Sequence, residues 1–597
     1  MAKKIKPINY TSRDFDSIKQ ELVDYAKRYY PDSFQDFNEA SFGSLMLDTV
    51  SYVGDILSFY VDYQANESFL NSATEKENII RLSRQLGYKY REIFASTGEV
   101  AFFVLVPNQA AHPGPDHNYY PTLLEGTTLT ADGGSSFILA EDVHFDSPSS
   151  EIVVGRVDET TGEPTYYAVK ATGKVVSGKI VQETITIGDY ERFRKIRLQN
   201  NNILEIISVT DADGNEYYEV DNLSQNVIYQ NIARSEAVNT DYAETLRPLI
   251  VPRRFVFDYD GSNYFMQFGY GSEDEILENP VADPSEVVLK QTGRNYTTDI
   301  TFDPYNLLKT DKLGVSPSNT VLTIKMRINP SSNVNAPVGT LRQIDDLRVE
   351  FADKTLLDST KLLFVMNSIQ AFNESPITGD STPVSPEEIR QRAMSNFSTQ
   401  NRAVTAKDYE QICYGMPAKF GSIKRCKILV DESSFKRNLN LYVLVEGNQQ
   451  KLAVANSSIK QNLRTWLSNY KMINDTVDIM DGKIINIGIK FNVIADTNSN
   501  KQEVYDACVS RIKSKIMNPW QMGERLYITD IYSELNKVRG VVDTSNVTIT
   551  NKSGDLYSDV EFSISSNMSP DGRYIVCPLN ACFEIKFPNN DITGVVK

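Results

Sequence analysis

Between Ser44 and Leu70 the chain carries a helical pattern that is apolar on more than one side, and this restricts the folds it can adopt. Met46, Val50, Val53, Leu57 and Tyr60 recur at 4-3-4-3 spacing, the seam of a coiled coil. Tyr52, Ile56, Phe59 and Tyr63 form a second apolar row, offset by one position. Ser51, Gly54 and Ser58 make a third row, of small side chains, against which a neighbouring backbone can lie close. Gly54 costs about 1 kcal/mol of helix propensity relative to alanine, which packing there has to recover. A helix apolar round most of its circumference is covered on several sides. Two arrangements do this. Either the helix is buried inside the chain's own N-terminal domain, or helices of other chains complete it, with Met46, Val50, Val53, Ile56, Leu57 and Tyr60 as contacts.

Around this helix, residues 12–90 read as helical throughout. Thr74-Glu75-Lys76-Glu77 has the form of a capping box, starting a helix that runs to Leu86 and stops at Gly87. From Gly98 the period changes from 3.6 to 2. Val100–Val106, Phe137–Ala140, Ile152–Val157, Thr184–Ile187, Ile206–Thr210 and Phe255–Tyr259 read as strands, with turn signals at Asp213-Gly214-Asn215 and Asp260-Gly261-Ser262. Near residue 383 helical signals return. Ser385 precedes Pro386 at a first helical position, with glutamates following, and Thr405-Ala406-Lys407-Asp408 repeats the start signal. After residue 415 strands and helices alternate, which gives two small α/β sandwiches in tandem. The expected fold is multidomain α+β. Residues 1–95 form an N-terminal helical region, 96–330 a β-rich middle domain, 331–414 a connecting segment with capped helices, and 415–597 tandem small α/β modules.

Two stretches of this layout carry a resemblance. In 383–412, PVSPEEIRQRAMSNFSTQNRAVTAKDYEQI, the residues Arg402, Ala403, Val404, Thr405, Asp408 and Tyr409 follow an acidic helix. In Asp36–Tyr88 the pattern runs through Asn38, Glu39, Asn66, Glu67, Ala73, Leu86, Gly87 and Tyr88. Both resemble the baseplate J-like proteins, the T4-type wedge subunits of contractile phage tails, and they occur in that family's order. FVFDYDGSNYFMQFGYG, 255–271, is similar to the family more loosely. The resemblance implies a virion structural protein, located in the tail baseplate and assembled in the host cytoplasm. Two copies would clamp another baseplate wedge protein through a helical bundle, and contacts through the C-terminal modules would link wedges into a ring that rearranges on host contact. Arg402, Thr405, Asp408 and Tyr409 are then a structural motif that orders a helix start, with Asp408 acting through the helix dipole alone.

Composition narrows the alternatives. With 597 residues the chain is too long for one core and holds about three or four domains. The balance of 61 basic against 78 acidic residues, net −17, argues against nucleic acid or an anionic membrane as partner. Arg192, Arg194, Lys195 and Arg197 are read as solvated edge charges. The start MAKKIKPINYTSRDFD lacks the apolar run of a secretory signal, and no stretch approaches the roughly 20 apolar residues of a membrane span. Five widely spaced cysteines do not make a disulfide framework, though Cys577 and Cys582 flank a turn that permits pairing.

Catalytic patterns are scarce in the sequence. His112, His117 and Asp116 share a Pro/Gly loop, a poor metal site, and His144 stands apart. Phe268-Gly269-Tyr270-Gly271 fails the nucleotide patterns and reads as a hairpin turn. Carboxylate neighbours such as Asp345 with Asp346, or Asp258 with Asp260, leave open a virion-associated glycan hydrolase or depolymerase as the alternative function, since a glycosidase needs two carboxylates across a cleft. The sequence calls for no cofactor and no metal, and the leading expectation is not an enzyme.

Overall fold

The computed structural model describes residues 14–30, 41–109, 114–147, 150–158, 163–233, 244–272, 313–329, 334–352, 354, 357–431, 438–447, 450–497, 499–516, 520–554 and 556–597. They divide into two compact units. One holds the N-terminal residues to Tyr88 together with Pro386–Met394, and the other holds Lys89–Ser385 with Ser395–Lys597. Asn38, Glu39 and His112 lie outside the described residues.

The first unit is helical. Helix α1 spans Phe15–Tyr29 and starts at Asp14, whose carboxylate accepts the Ser17 N–H. Helix α2 spans Phe42–Glu67, 26 residues and therefore about 39 Å long. Helix α3 spans Lys76–Gln85 and buries Ile79, Ile80 and Ser83. Gly87, at φ 83°, ends it as the sequence indicated. The start of the helix Pro386–Thr399 completes the unit, with Ile389 and Ala393 fully buried.

In the second unit β-structure dominates. A seven-stranded sheet has the order Leu341–Asp346, Thr128–Ala131, Ser136–Leu139, Pro164–Ser177, Thr97–Pro107, Gln370–Phe372, and Glu151–Val157 pairs separately with Pro164–Ser177. Its spine is the antiparallel pair Thr97–Pro107 and Pro164–Ser177, in register from Thr97 opposite Val176 to Pro107 opposite Tyr166. Val100, Phe102, Val104 and Val106 alternate onto a core shared with Leu123, Leu129, Phe137 and Val169. A second seven-stranded sheet runs Lys179–Thr186, Val321–Ile328, Ile203–Thr210, Glu216–Glu219, Arg254–Tyr259, Tyr264–Phe268, Lys195–Arg197. The two expected turns are present. Asp211 accepts the Asp213 and Asn215 N–H groups in one, and Asp260 accepts those of Ser262 and Asn263 in the other. The Gly-x-Gly segment is not a hairpin turn. Gly269 lies against the carbonyls of Leu313 and Gly314, where a Cβ would come within 2.3 Å of both oxygens. It is a site of close backbone approach.

Beyond residue 415 two four-stranded sheets follow. Arg425–Val430, Asn438–Glu446 and Leu452–Ala453 with Thr476–Asp481 form the first, and the helices Ala406–Tyr414 and Ser457–Ser468 contribute to its core. Lys483–Ala495 centres the second, flanked by Val541–Asn551, Ala581–Glu584 and Ile592–Val596, with the helices Lys501–Ile516 and Ile528–Asn536 packed into its core. Among the described residues no helix is long and apolar enough to cross a membrane. All five cysteines are free and buried, Cys577 and Cys582 included. Burial pushes both of those thiols up to about 12.

Candidate interaction surface

Helix α2 begins with Ser41 accepting the Ser44 N–H at 3.1 Å. Its row of small residues is where α1 packs. Ser44 and Ser51 are buried there, and a Cβ on Gly54 would stand 3.2 Å from Ile18 Cδ1. Lys19 and Asp48 pair at 2.6 Å across the same contact. Among the described residues the apolar rows have no such cover. Met46, Val50, Val53, Leu57 and Tyr60 are exposed, Val53 at 49% and Tyr60 at 59%, while Ile56 is half-buried. In the second row Tyr52 and Phe59 are exposed as well, and Phe59 stacks on Tyr63 with centroids 6.2 Å apart. Phe42, Leu45 and Val61, which the spacing argument did not single out, extend the exposed apolar surface along the helix.

The corner between α2 and α3 is built differently from its sequence reading. Thr74 does not cap α3 as part of a capping box; the cap position is Glu75, with no side-chain cap bond. Instead Glu67, the last residue of α2, reaches across. Its carboxylate accepts from Thr74 N at 2.7 Å, Thr74 Oγ1 at 2.6 Å, Glu75 N at 3.3 Å and Asn78 Nδ2 at 2.9 Å. A charged acceptor at a helix N-terminus outcompetes a neutral hydroxyl, because the bonds are charge-assisted and the helix dipole adds to them. The Thr74 hydroxyl, then the Asn78 amide and the Thr74 N–H, hold the Glu67 carboxyl down at about 2. At this corner Ala73 is buried and its carbonyl accepts from the Arg390 guanidinium, and past the other end of α3 Tyr88 is buried too. Arg392 pairs with Glu388 at 2.6 Å one turn away. Of the N-terminal residues that carried the resemblance, Asn66, Glu67 and Ala73 lie at this corner, while Leu86, Gly87 and Tyr88 follow the other end of α3.

In the second unit the signature segment opens on a chain reversal. Gln400 and Asn401 sit at φ 50° and 57°, so the helix Pro386–Thr399 cannot continue. Exposed Arg402 donates its backbone N–H to Thr399 O. Thr405 then caps the helix Ala406–Tyr414, its hydroxyl accepting the Asp408 N–H at 3.3 Å. Asp408 does more than face a dipole. Its carboxylate accepts the Thr405 N–H at 2.8 Å and the Val404 N–H at 3.2 Å, which closes a reciprocal capping box. Tyr409, buried, donates its hydroxyl to Asp475 at 2.8 Å, and Trp466 Nε1 donates to Ile412 O at 2.8 Å. The motif anchors a helix to the sheet beneath it.

The remaining candidates are engaged in local structure. His117 pairs with Asp146 at 3.1 Å and packs on Tyr120, while Asp116 accepts the Asn118 N–H. Among the described residues no group of three or more His, Cys, Asp or Glu side chains is placed to hold a metal ion. Asp345 accepts from Thr130 and Gln343, Asp346 pairs with Arg348, and Asp260 holds its turn. Arg194 is held by Glu191 and the Asp189 carbonyl, and Lys195 lies 4.0 Å from the Phe265 ring centroid.

Against known proteins, residues 14–85 match the family profile of the bacteriophage baseplate protein, N-terminal domain. That span contains α1, α2 and α3. No curated protein matches the chain. Among solved structures, a chain of the anti-feeding prophage (AFP) baseplate, determined by cryo-EM with sixfold symmetry, is 9% identical, with 92% of this chain and 96% of that chain covered and a TM-score of 0.24. A chain of the type VI secretion system TssK-TssF-TssG baseplate subcomplex is 8% identical, covering 72% of this chain and 96% of that chain, with a TM-score of 0.25. At these values neither structure fixes the fold or the function of this chain.

Proposed function

We propose that this protein is a structural subunit of a phage tail baseplate, of the J-like wedge type, and that α2 is the helix through which it joins other chains. One observation carries the reading. Within the segment that matches the baseplate N-terminal domain, a helix of 26 residues leaves most of its two apolar rows exposed, while α1 packs on its small row. An apolar surface of this kind on a folded chain marks a protein interface. Each side chain of the seam gains roughly 1.5–3 kcal/mol when fully buried, and a seam at 4-3-4-3 spacing fits another helix.

In this reading two copies of the chain pack their α2 helices around a further wedge protein, and residues 415–597 supply contacts between neighbouring wedges in a ring. The ring then changes shape on host contact. The role is architectural, in the virion, after assembly in the host cytoplasm. Mixing the full chain with the other tail proteins of its phage and measuring particle mass tests the reading. A complex holding two copies of this chain is expected, and it is lost on Val53→Asp. A chain that stays monomeric beside all of those proteins would refute it.

A further inference from the structure

The strand Glu151–Val157, sequence EIVVGRV, is exposed along its whole length. Among the described residues it pairs on one side only, with Pro164–Ser177, so its outer edge presents free backbone N–H and C=O groups. Ile152, Val153, Val154 and Val157 are all about half exposed or more, Val153 at 64%. An apolar edge strand is a template for pairing with another strand. Bulges commonly blunt such edges, and this one has a bulge at Gly155, where a Cβ would press on Leu105 at 2.8 Å and Ala168 N at 3.1 Å.

Here the bulge has a second consequence. Register opposite Pro164–Ser177 places Glu151 against Lys170, Val153 against Ala168 and Arg156 against Tyr166, so these three share one face of the sheet. Ile152 against Val169 and Val154 against Tyr167 share the other face. Without the bulge, Arg156 would point away from Glu151. With it, the strand is complementary to itself when reversed. A twofold axis perpendicular to the sheet at Val153 sets Glu151 opposite Arg156 of the second copy, Ile152 opposite Val154, and Val153 opposite Val153. Every opposed pair is on a common face, as antiparallel pairing requires.

We infer that Glu151–Val157 is a second self-association surface, on which two copies of this chain pair edge to edge, antiparallel, about Val153. Charge complementarity chooses the occupant. Glu151 is 73% exposed and holds Lys170 only at 3.7 Å, while Arg156 lies over Phe364 at 5.3 Å and has no carboxylate partner among the described residues. Each meets its opposite charge in the pair. An isologous contact of this type repeats each interaction twice. The surface lies outside residues 14–85 and does not depend on the baseplate reading.

The test uses the full chain carrying Val153→Cys, treated with a thiol oxidant that accepts the two electrons and two protons released as the disulfide forms. The native cysteines are all buried, so the added thiol is the reactive one. A covalent dimer is expected from Val153→Cys and not from Val542→Cys, a control at another exposed valine. Glu151→Arg or Arg156→Glu alone should lower the yield, equivalent to roughly tenfold weaker pairing, and the double reversal should restore it. Equal cross-linking at both cysteines, none at Val153→Cys, or no rescue by the double reversal would overturn the proposal. Because all these positions are on the surface, unchanged melting temperatures are expected and guard against a folding artefact.

Discussion

At the scale of single residues, the informative side chains are those that hold helix ends. Thr405 and Asp408 each satisfy backbone N–H groups that the helix itself leaves free. Thr405→Ala should cost about 1 kcal/mol. Asp408→Ala should cost a similar amount, since it also removes acceptors for two N–H groups, and urea unfolding of the two variants measures both. Glu67 makes a different prediction, one that depends on pH. Its carboxyl is held at about 2 against an ordinary value of 4.5. A lowered folded value means that the charged form is favoured by folding. The stabilisation is complete above about 4.5 and disappears as pH falls through about 2. The difference in stability between the wild type and Glu67→Ala should therefore shrink across that window, while staying constant from pH 5 to 7. The Glu67 carboxylate was hidden from local reading because its partners, Thr74, Glu75 and Asn78, lie 7 to 11 residues away. Sequence showed the cap motif at Thr74 but not the competitor that displaced it.

Elements were legible to the extent that their own residues dictate them. The strands Thr97–Pro107, Glu151–Val157 and Arg254–Tyr259 lie within three residues of the bounds their periodicity suggests. Pro164–Ser177, a 14-residue strand that pairs with three others of its sheet, has no clear signal in the sequence. Its buried positions Val169, Ala171, Gly173 and Val175 include two residues too small to register as an apolar stripe, and Lys170, Thr172 and Lys174 stand between them. Pairing along both edges stabilises it instead. Helix α2 presents the reverse case, since its rows are plain in sequence but their cover is not. Val53→Asp tests what they do. In the isolated chain Val53 is half in water, so the substitution should change the melting temperature little. In a helical assembly the same aspartate is an unpaired charge in an apolar seam, costly enough to block association. Sedimentation of the mixture with tail proteins, beside thermal melts of the chain alone, separates the two effects.

On the scale of the whole molecule, the question is whether the second unit can bear load. The proposed role, passing on a change of shape, requires a part that is stiff between its contacts. Hydrogen bonds between segments far apart in sequence supply that stiffness. Ala95 donates to Ala418 O, Asn456 to Thr97 O, and buried Asn335 to the carbonyls of Asp380, Glu446 and Gly447. Truncation at residue 415 would strip partners from Asn335, Thr97 and Thr382 at once, so point substitutions give a cleaner probe of ring contacts. Nothing in the local sequence around Lys424 or Glu446 announces that they meet, yet their side chains are 9% and 5% exposed and pair at 2.8 Å. Thr382 closes the group, its N–H and hydroxyl donating to Glu446 while Lys424 Nζ approaches the same hydroxyl at 2.6 Å. Removing one charge leaves the other buried without compensation. Lys424→Met should therefore destabilise the chain by about 3–5 kcal/mol, and pairing it with Glu446→Leu should recover much of the loss. Urea unfolding of the single and double variants gives the coupling directly. If Lys424→Met unfolds with the wild-type midpoint, this ion pair is not what locks the segments together, and the stiffness has to come from the long-range hydrogen bonds of Ala95, Asn335 and Asn456.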